Sequence, residues 1–383
     1  MAARHGAKGD MTMRVGVPKE IKSDEHRVGL TPASVHELVA HGHEVVVEHA
    51  AGEGIGAADD DYRRAGARVA AAAAEVWDLA QMIVKVKEPQ PAERARLRAD
   101  QVLFTYLHLA PDPAQCADLL ASGAVCIAYE TVTQPGGGLP LLAPMSEVAG
   151  RMALQVGARC LERAQGGMGV LLGGVPGVPP ARVVVLGAGV VGRNAAQMAV
   201  GSGAQVVVLD RSIDALRRIE LQLGARAATV YADRSEIEHH VLRADLVIGA
   251  VLVPGATAPR LVSRELVARM RAGAAIVDVA IDQGGCIETA HATTHAAPTY
   301  VVDGVVHYCV ANMPGGVPRT STYALNHATL PFVLALADKG WRQALRDDAH
   351  LKDGLNVCAG RVTCAAVAQA LGHPLTAADE LLA

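Results

Sequence analysis

A β-branched run, Arg182-Val183-Val184-Val185-Leu186, passes without a break into Gly187-Ala188-Gly189-Val190-Val191-Gly192. No other stretch constrains the fold as much. The first glycine suits a tight turn, and the second lets backbone approach a pyrophosphate. The third lets a helix pack closely on the strand, with its N-terminus favouring the anion. A glycine-rich turn alone can be purely structural. Here a second apolar run, Gln205 to Leu209, ends in Asp210, where an acid can accept hydrogen bonds from ribose hydroxyls. Strand, glycines, helix, strand and acid in this order read as a nicotinamide-type dinucleotide site.

The chain of 383 residues exceeds what one core usually serves, so two domains are expected. Hydrophobic residues make up 51% and aromatics only 3%, so the core must be built of Val, Leu, Ile and Ala, as in parallel α/β sheets. A net charge of -4 gives no electrostatic case for nucleic acid or an anionic membrane. Apolar runs such as Leu246 to Pro254 fall far short of the ~20 residues that span a bilayer. The N-terminus lacks a secretory signal's apolar core, and a cytoplasmic location is expected. Seven scattered cysteines show no metal or redox spacing and read as free thiols of a reducing compartment. His291 and His295 have a metal pair's spacing but no acid between them, so they read as a solvated loop, and no metal is expected.

Residues 1 to 12 are polar and small and read as a disordered leader. A strand at Arg14 to Val17, a helix at Pro32 to Ala40 and a strand at Glu44 to Glu48 then set a βαβ rhythm. Apolar runs at Met82 to Val86, Val102 to Leu107 and Val125 to Tyr129 continue it, with helices at Ala92 to Leu97 and Pro113 to Ser122 between. The Ala70 to Ala74 tract reads as helix. After Gln134-Pro135-Gly136-Gly137-Gly138, a long helix over Glu147 to Ala164 is expected, capped by Ser146. Strands at Arg182 to Leu186, Gln205 to Leu209, Leu246 to Val251, Ala275 to Val279 and Val305 to Val310 describe a doubly wound sheet. From about Tyr323 the tail reads as helical with no new strand set, packing back on the first unit. The fold class is α/β, with two doubly wound Rossmann-like domains joined by long helices. The catalytic domain is discontinuous, at 13–140 and 320–383, and the nucleotide domain covers 141–319.

The first domain must then supply polar groups to face the nicotinamide. Arg27, in the polar loop Asp24-Glu25-His26-Arg27, is either a bidentate carboxylate anchor or a solvated surface arginine. Lys87 ends the run Met82 to Val86; Lys85 would share its face, and either could be merely solvated. His108, embedded in Tyr106-Leu107-His108-Leu109, is either a satisfied core histidine or a proton-transfer group. Asp282 follows a strand of the nucleotide domain, a position that favours function.

These segments make the chain resemble the alanine dehydrogenase family from about Met13 to Ala383. The resemblance is carried by Val15-Gly16-Val17-Pro18-Lys19-Glu20 with Arg27, Val84-Lys85-Val86-Lys87-Glu88-Pro89, Leu107-His108-Leu109-Ala110 and Ala143-Pro144-Met145-Ser146-Glu147. Gly173-Gly174-Val175-Pro176, Val253-Pro254-Gly255, Asp278 to Gly285 and Val310-Ala311-Asn312-Met313-Pro314 extend it. The resemblance implies NAD-dependent, reversible oxidative deamination of L-alanine to pyruvate and ammonia by a homohexamer. It implies that Arg27 and Lys87 bind substrate and that His108 and Asp282 are catalytic. It further implies that Ser146, Gly187, Gly189, Val190, Val191, Gly192, Asp210, Val251, Leu252, Ala280, Ile281, Asp282, Val310, Asn312 and Met313 contact NAD.

The loop after Asp210 departs from the pattern, because Ala215 stands where relatives often carry lysine. Arg211 could stack on adenine or meet a 2′-phosphate, but Asp210 would repel that phosphate, which favours NAD. Two other readings stand beside this one. The nucleotide-binding subunit of proton-translocating transhydrogenase shares the glycine motifs but needs no amino-acid site. A non-catalytic NAD(H) sensor would bind without turnover.

Overall fold

The computed structural model describes residues 12–251 and 258–382. The expected leader falls outside them but for Thr12, and so does Leu252. By internal contacts the chain divides into two units, Met1–Pro144 with Val317–Ala383, and Met145–Gly316.

The first unit carries β1 (Arg14–Val17), β2 (Glu44–Glu48), β3 (Arg68–Ala70), β4 (Met82–Val84), β5 (Val102–Thr105) and β6 (Val125–Ala128). The second carries β7 (Arg182–Leu186), β8 (Gln205–Asp210), β9 (Ala227–Tyr231), β10 (Leu246–Gly249), β11 (Ala275–Asp278), β12 (Thr299–Val302) and β13 (Val305–Tyr308). The tail adds β14 (Leu355–Cys358) and β15 (Arg361–Val362) to the first. Among the described residues the sheets run β15-β14-β6-β5-β4-β1-β2-β3 and β12-β13-β11-β10-β7-β8-β9. Pairing is parallel except for β12 on β13, β14 on β6 and β15 on β14. Both sheets are thus predominantly parallel and doubly wound, as the sequence predicts.

The reason is visible in burial. Every residue of β4, β5, β6, β10 and β11 is buried, as strands covered on both faces by helices must be, and Val, Ile and Leu dominate them. Helix starts follow local chemistry. Thr31 caps Pro32–Ala40 by accepting from Ser34 N, and Asp112 caps Pro113–Ser122 by accepting from Gln115 N. In each, proline takes the first turn, where its missing N–H costs nothing.

Four expectations need correction. The tail is not helical alone, since Leu355-Asn356-Val357-Cys358 enters the first sheet beside β6, a strand too short and too interrupted by Asn356 for its period to show. The long helix spans Ala143–Cys160, so Ser146 lies inside its first turn rather than capping it; Pro144 tolerates that early start. The Ala70 to Ala74 tract splits between the end of β3 and a helix that begins at Ala73. The second sheet has seven described strands where the sequence reading has five, because alanine-rich β9 is a weak run and the short Tyr-Val-Val run of β12, an antiparallel edge strand on β13, was passed over.

Candidate active site

In the second unit, the described candidates other than Ser146 lie at the C-terminal ends of five contiguous strands. The glycine loop follows β7 and Asp210 ends β8. Val251 follows β10, Ala280 to Asp282 follow β11, and Val310 to Met313 follow β13. The sheet order reverses at β7, where parallel sheets of this type open a ligand crevice.

The three glycines of the loop serve different purposes. Gly187 has φ +105° and sits against the chain leaving β10, where a Cβ would come 2.7 Å from the Ala250 carbonyl oxygen and 3.1 Å from Val251 N. Gly192 packs on the same turn, since a Cβ there would overlap the Gly187 carbonyl oxygen at 1.8 Å. Gly189 has no atom within 4 Å of such a Cβ and begins the helix Val190–Gly201 with no side chain to cap its first N–H groups. An open glycine before uncapped helix N–H donors is a fit for a dinucleotide pyrophosphate. Asp210 supports the turn itself, accepting from Ala188 N at 2.6 Å and Ser212 N at 2.7 Å. Ser146 lies one turn before Gly150, whose Cβ position would meet the Val191 carbonyl oxygen at 2.2 Å. That close crossing brings the helix bearing Ser146 to the start of Val190–Gly201, and Arg151 Nε donates to Asn194 there at 3.0 Å.

Asp282 is exposed and accepts from Asn312 N at 3.2 Å, so the segments after β11 and β13 meet. Asn312 takes φ +59°, and its carbonyl is 3.3 Å from His295 Nε2. Beneath them lies Asp278, fully buried, which accepts from the backbone N–H groups of Ala280, Cys286 and Ile287 at 3.1, 2.9 and 3.1 Å. Burial pushes its carboxyl above the usual range despite those donors. His291 and His295 lie in irregular chain, and His291 stacks on Tyr300 at 3.7 Å between ring centres.

In the first unit, Arg27, Lys87 and His108 follow β1, β4 and β5, three adjacent parallel strands, at their C-terminal ends. Two candidates differ in setting from what their sequence context suggests. Arg27 is not a solvated surface arginine; it is 2% exposed, and Glu25 grips its edge with Nε to Oε1 at 2.6 Å. His108 is not a core histidine. Its side chain is 42% exposed, its backbone is left-handed at φ +49°, and its ring stacks parallel to Tyr106 with centroids 5.6 Å apart.

Lys85 is not solvated either. Its ammonium is completely buried and bonds Glu20 at 3.0 Å and Glu93 at 2.7 Å. Burial opposes its charge, but the two carboxylates outweigh that and hold its proton more tightly than usual. Lys87, two residues on, is half-buried, and its carbonyl accepts from Thr105 Oγ1 at 2.9 Å.

Sequence reasoning passed over Glu130. It follows β6, the next strand in the row, accepts from His108 N at 2.6 Å and lies 3.8 Å from His108 Nδ1. An acid just past a short buried strand was its only signal, the same signal that marked Asp282. Glu20 and Glu25, partners of Lys85 and Arg27, were also missed as site residues. Among the described residues no group of three metal-ligating side chains forms, and no helix is long and apolar enough to cross a membrane. A groove of about 850 Å³ lined by Leu171, Val175, Arg182, Arg243, Asp245 and Arg271 sits at the opposite, N-terminal edge of the second sheet and lies apart from these candidates.

Two parallel sheets, with the polar candidates of each gathered at C-terminal strand ends and a glycine turn at the reversal point of one, define an oxidoreductase of the nucleotide-dependent α/β class. Comparison with known proteins narrows this. The N-terminal domain model of the alanine dehydrogenase/PNT family matches residues 16–149 and the C-terminal domain model matches 153–365. The chain belongs to that family. It is 60% identical to an alanine dehydrogenase of Halomonas elongata, over 97% of this chain and 100% of the relative. An alanine dehydrogenase of Mycolicibacterium smegmatis is 54% identical over the same shares. A solved L-alanine dehydrogenase superposes with TM-score 0.91 at 56% identity, covering 94% of this chain and 99% of the other. A transhydrogenase from Sinorhizobium meliloti superposes with TM-score 0.80 at 27% identity, covering 91% of this chain and 100% of the other.

Proposed function

We propose that this chain is an L-alanine dehydrogenase that interconverts L-alanine with pyruvate and ammonia, using NAD. One observation carries the reading: a chain 60% identical over its length to an alanine dehydrogenase sets Arg27, Lys87 and His108 at the C-terminal ends of adjacent strands. In it NAD is bound by Ser146, the Gly187–Gly192 turn with Val190 and Val191, Asp210, Val251, Leu252, Ala280, Ile281, Asp282, Val310, Asn312 and Met313. When bound, NAD supplies the hydride acceptor.

The chain's own residues do the rest. Arg27, oriented by Glu25, holds the substrate carboxylate in a fixed pose, because hydride leaves the α-carbon only from an aligned approach. Lys87 polarises the carbonyl oxygen in the reverse direction. His108 moves protons as the iminium takes up water and the carbinolamine collapses, and Glu130 accepts from its backbone N–H at 2.6 Å. Asp282 assists the water and amine steps. We extend the reading to a cytoplasmic homohexamer, whose mass in solution tests it.

The test is absorbance at the NADH band after mixing protein, NAD and L-alanine at alkaline pH, with D-alanine, L-serine and NADP as controls. We expect signal with L-alanine and NAD alone. Silence from folded protein that binds NADH would overturn the reading, and hydride exchange between nucleotides without amino acid would replace it with the transhydrogenase-like one.

A further inference from the structure

Lys85 and Lys87 stand two apart just past β4, a spacing that on a continued strand would put both on one face. Each carries the same ammonium, yet only one can be the substrate lysine. The structure separates them with a buried triad. Glu20 Oε2 and Glu93 Oε1 close on Lys85 Nζ at 3.0 and 2.7 Å, with all three side chains no more than 5% exposed. The second oxygen of Glu20 is used as well, since Oε1 accepts from Val86 N at 2.7 Å and Lys87 N at 3.4 Å. Tyr129 Oη donates to the Lys85 carbonyl at 2.9 Å, and Glu93 Oε2 accepts from Gln90 N at 2.8 Å, so the segment is held on both sides of the lysine pair.

We propose that Glu20 is the positioning residue for Lys87: by trapping Lys85 with one oxygen and the amides of Val86 and Lys87 with the other, it fixes which lysine is presented to the substrate and where. The proposal rests on the dehydrogenase reading. Only a carboxylate can do this, because both oxygens must accept. In Glu20→Gln the volume is kept, but one end of the amide is a donor, which must face either an ammonium or an N–H. Loss of register would let the strand tip shift and displace the Lys87 ammonium, which binding of a small substrate would register directly.

The experiment compares wild type, Glu20→Gln and the double variant Glu20→Gln/Lys85→Met. The double variant removes the buried cation together with the lost anion, so the triad keeps its net charge and glutamine's carbonyl can serve the two amides. For Glu20→Gln we expect KM for pyruvate to rise about tenfold with kcat within about threefold and NADH affinity unchanged. In the double variant most of the KM should return. An unchanged pyruvate KM in Glu20→Gln would overturn the proposal. So would a fall in kcat that tracks the folded fraction, or a double variant no better than the single.

A second readout does not depend on turnover. Acetic anhydride labelling of Lys87, followed by peptide mass spectrometry, should change in rate at least about threefold in Glu20→Gln and revert in the double variant. Equal rates in all three would overturn the proposal even in a protein with no alanine activity. Wild type that labels as expected but never oxidises alanine would instead remove the dehydrogenase reading and leave the placement of Lys87 standing.

Discussion

Gly189 and Gly192 are three residues apart and are glycine for opposite reasons. A Cβ on Gly192 would collide with the Gly187 carbonyl, whereas one on Gly189 would meet nothing of the protein. Gly189→Ala should therefore fold with an unchanged melting temperature yet bind NADH at least about tenfold more weakly, because the methyl occupies space left for the pyrophosphate. Titration of the protein's NADH fluorescence checks this; wild-type affinity would mean that the open flank is not where the nucleotide lies. At this scale the sequence announced the glycine turn because its chemistry is local, a strand, three glycines and an acid within one βαβ unit. It misjudged the surroundings of Arg27, Lys85 and His108 because their settings depend on Glu25, Glu20, Glu93 and Glu130. Two of those lie 65 and 22 positions from the group they serve, and nothing in the sequence ties them together.

Elements were legible where an apolar run or a capping residue marks them locally. Strands β1, β2 and β7 and the helices Pro32–Ala40 and Pro113–Ser122 fall on their expected bounds, since apolar runs and capping residues mark them. Strands β3, β9, β12, β14 and β15 went unseen; they lie at or beside the sheet edges, where a few residues pair without a strong pattern. The tail helix Pro318–Lys339 is seated by several contacts, Thr322 Oγ1 accepting from Val28 N and Asp338 meeting His43 among them, and by one buried amide. Asn326 Oδ1 accepts from Thr31 N and Thr31 Oγ1, each at 3.0 Å, and also from Ser34 Oγ; its Nδ2 donates to the Gly29 carbonyl at 2.8 Å. Asn326→Ala would leave a buried N–H and carbonyl without partners, and we expect a loss of about 3 kcal/mol of stability in urea unfolding. A loss below about 1 kcal/mol would show that water or a rearranged Thr31 replaces the amide.

Across the whole molecule, the seven cysteines are all free thiols, six of them buried and Cys364 half-buried. Burial pushes Cys160 and Cys309 up to about 11, which keeps them protonated near neutrality. Native protein should take up iodoacetamide at Cys364 alone and at all seven sites in guanidinium, with no change in melting temperature on adding reductant. Intact-mass spectra settle the count, and several fast native adducts would contradict the packing described. That there are two α/β units was foreshadowed by length. The strands that the tail lends to the first sheet were not, because β14 finds its partner β6 more than two hundred residues earlier.

Asp210 has a consequence for how such a protein can change over time. The same carboxylate that the nucleotide reading assigns to a ribose also holds two backbone N–H groups of the turns around it. A lineage drifting toward a phosphorylated coenzyme cannot simply discard the acid, for the turn that cradles either coenzyme would lose its brace in the same step. Coenzyme choice is thereby tied to the soundness of the scaffold, and a switch demands a second change that re-anchors Ala188 and Ser212 before or alongside the first.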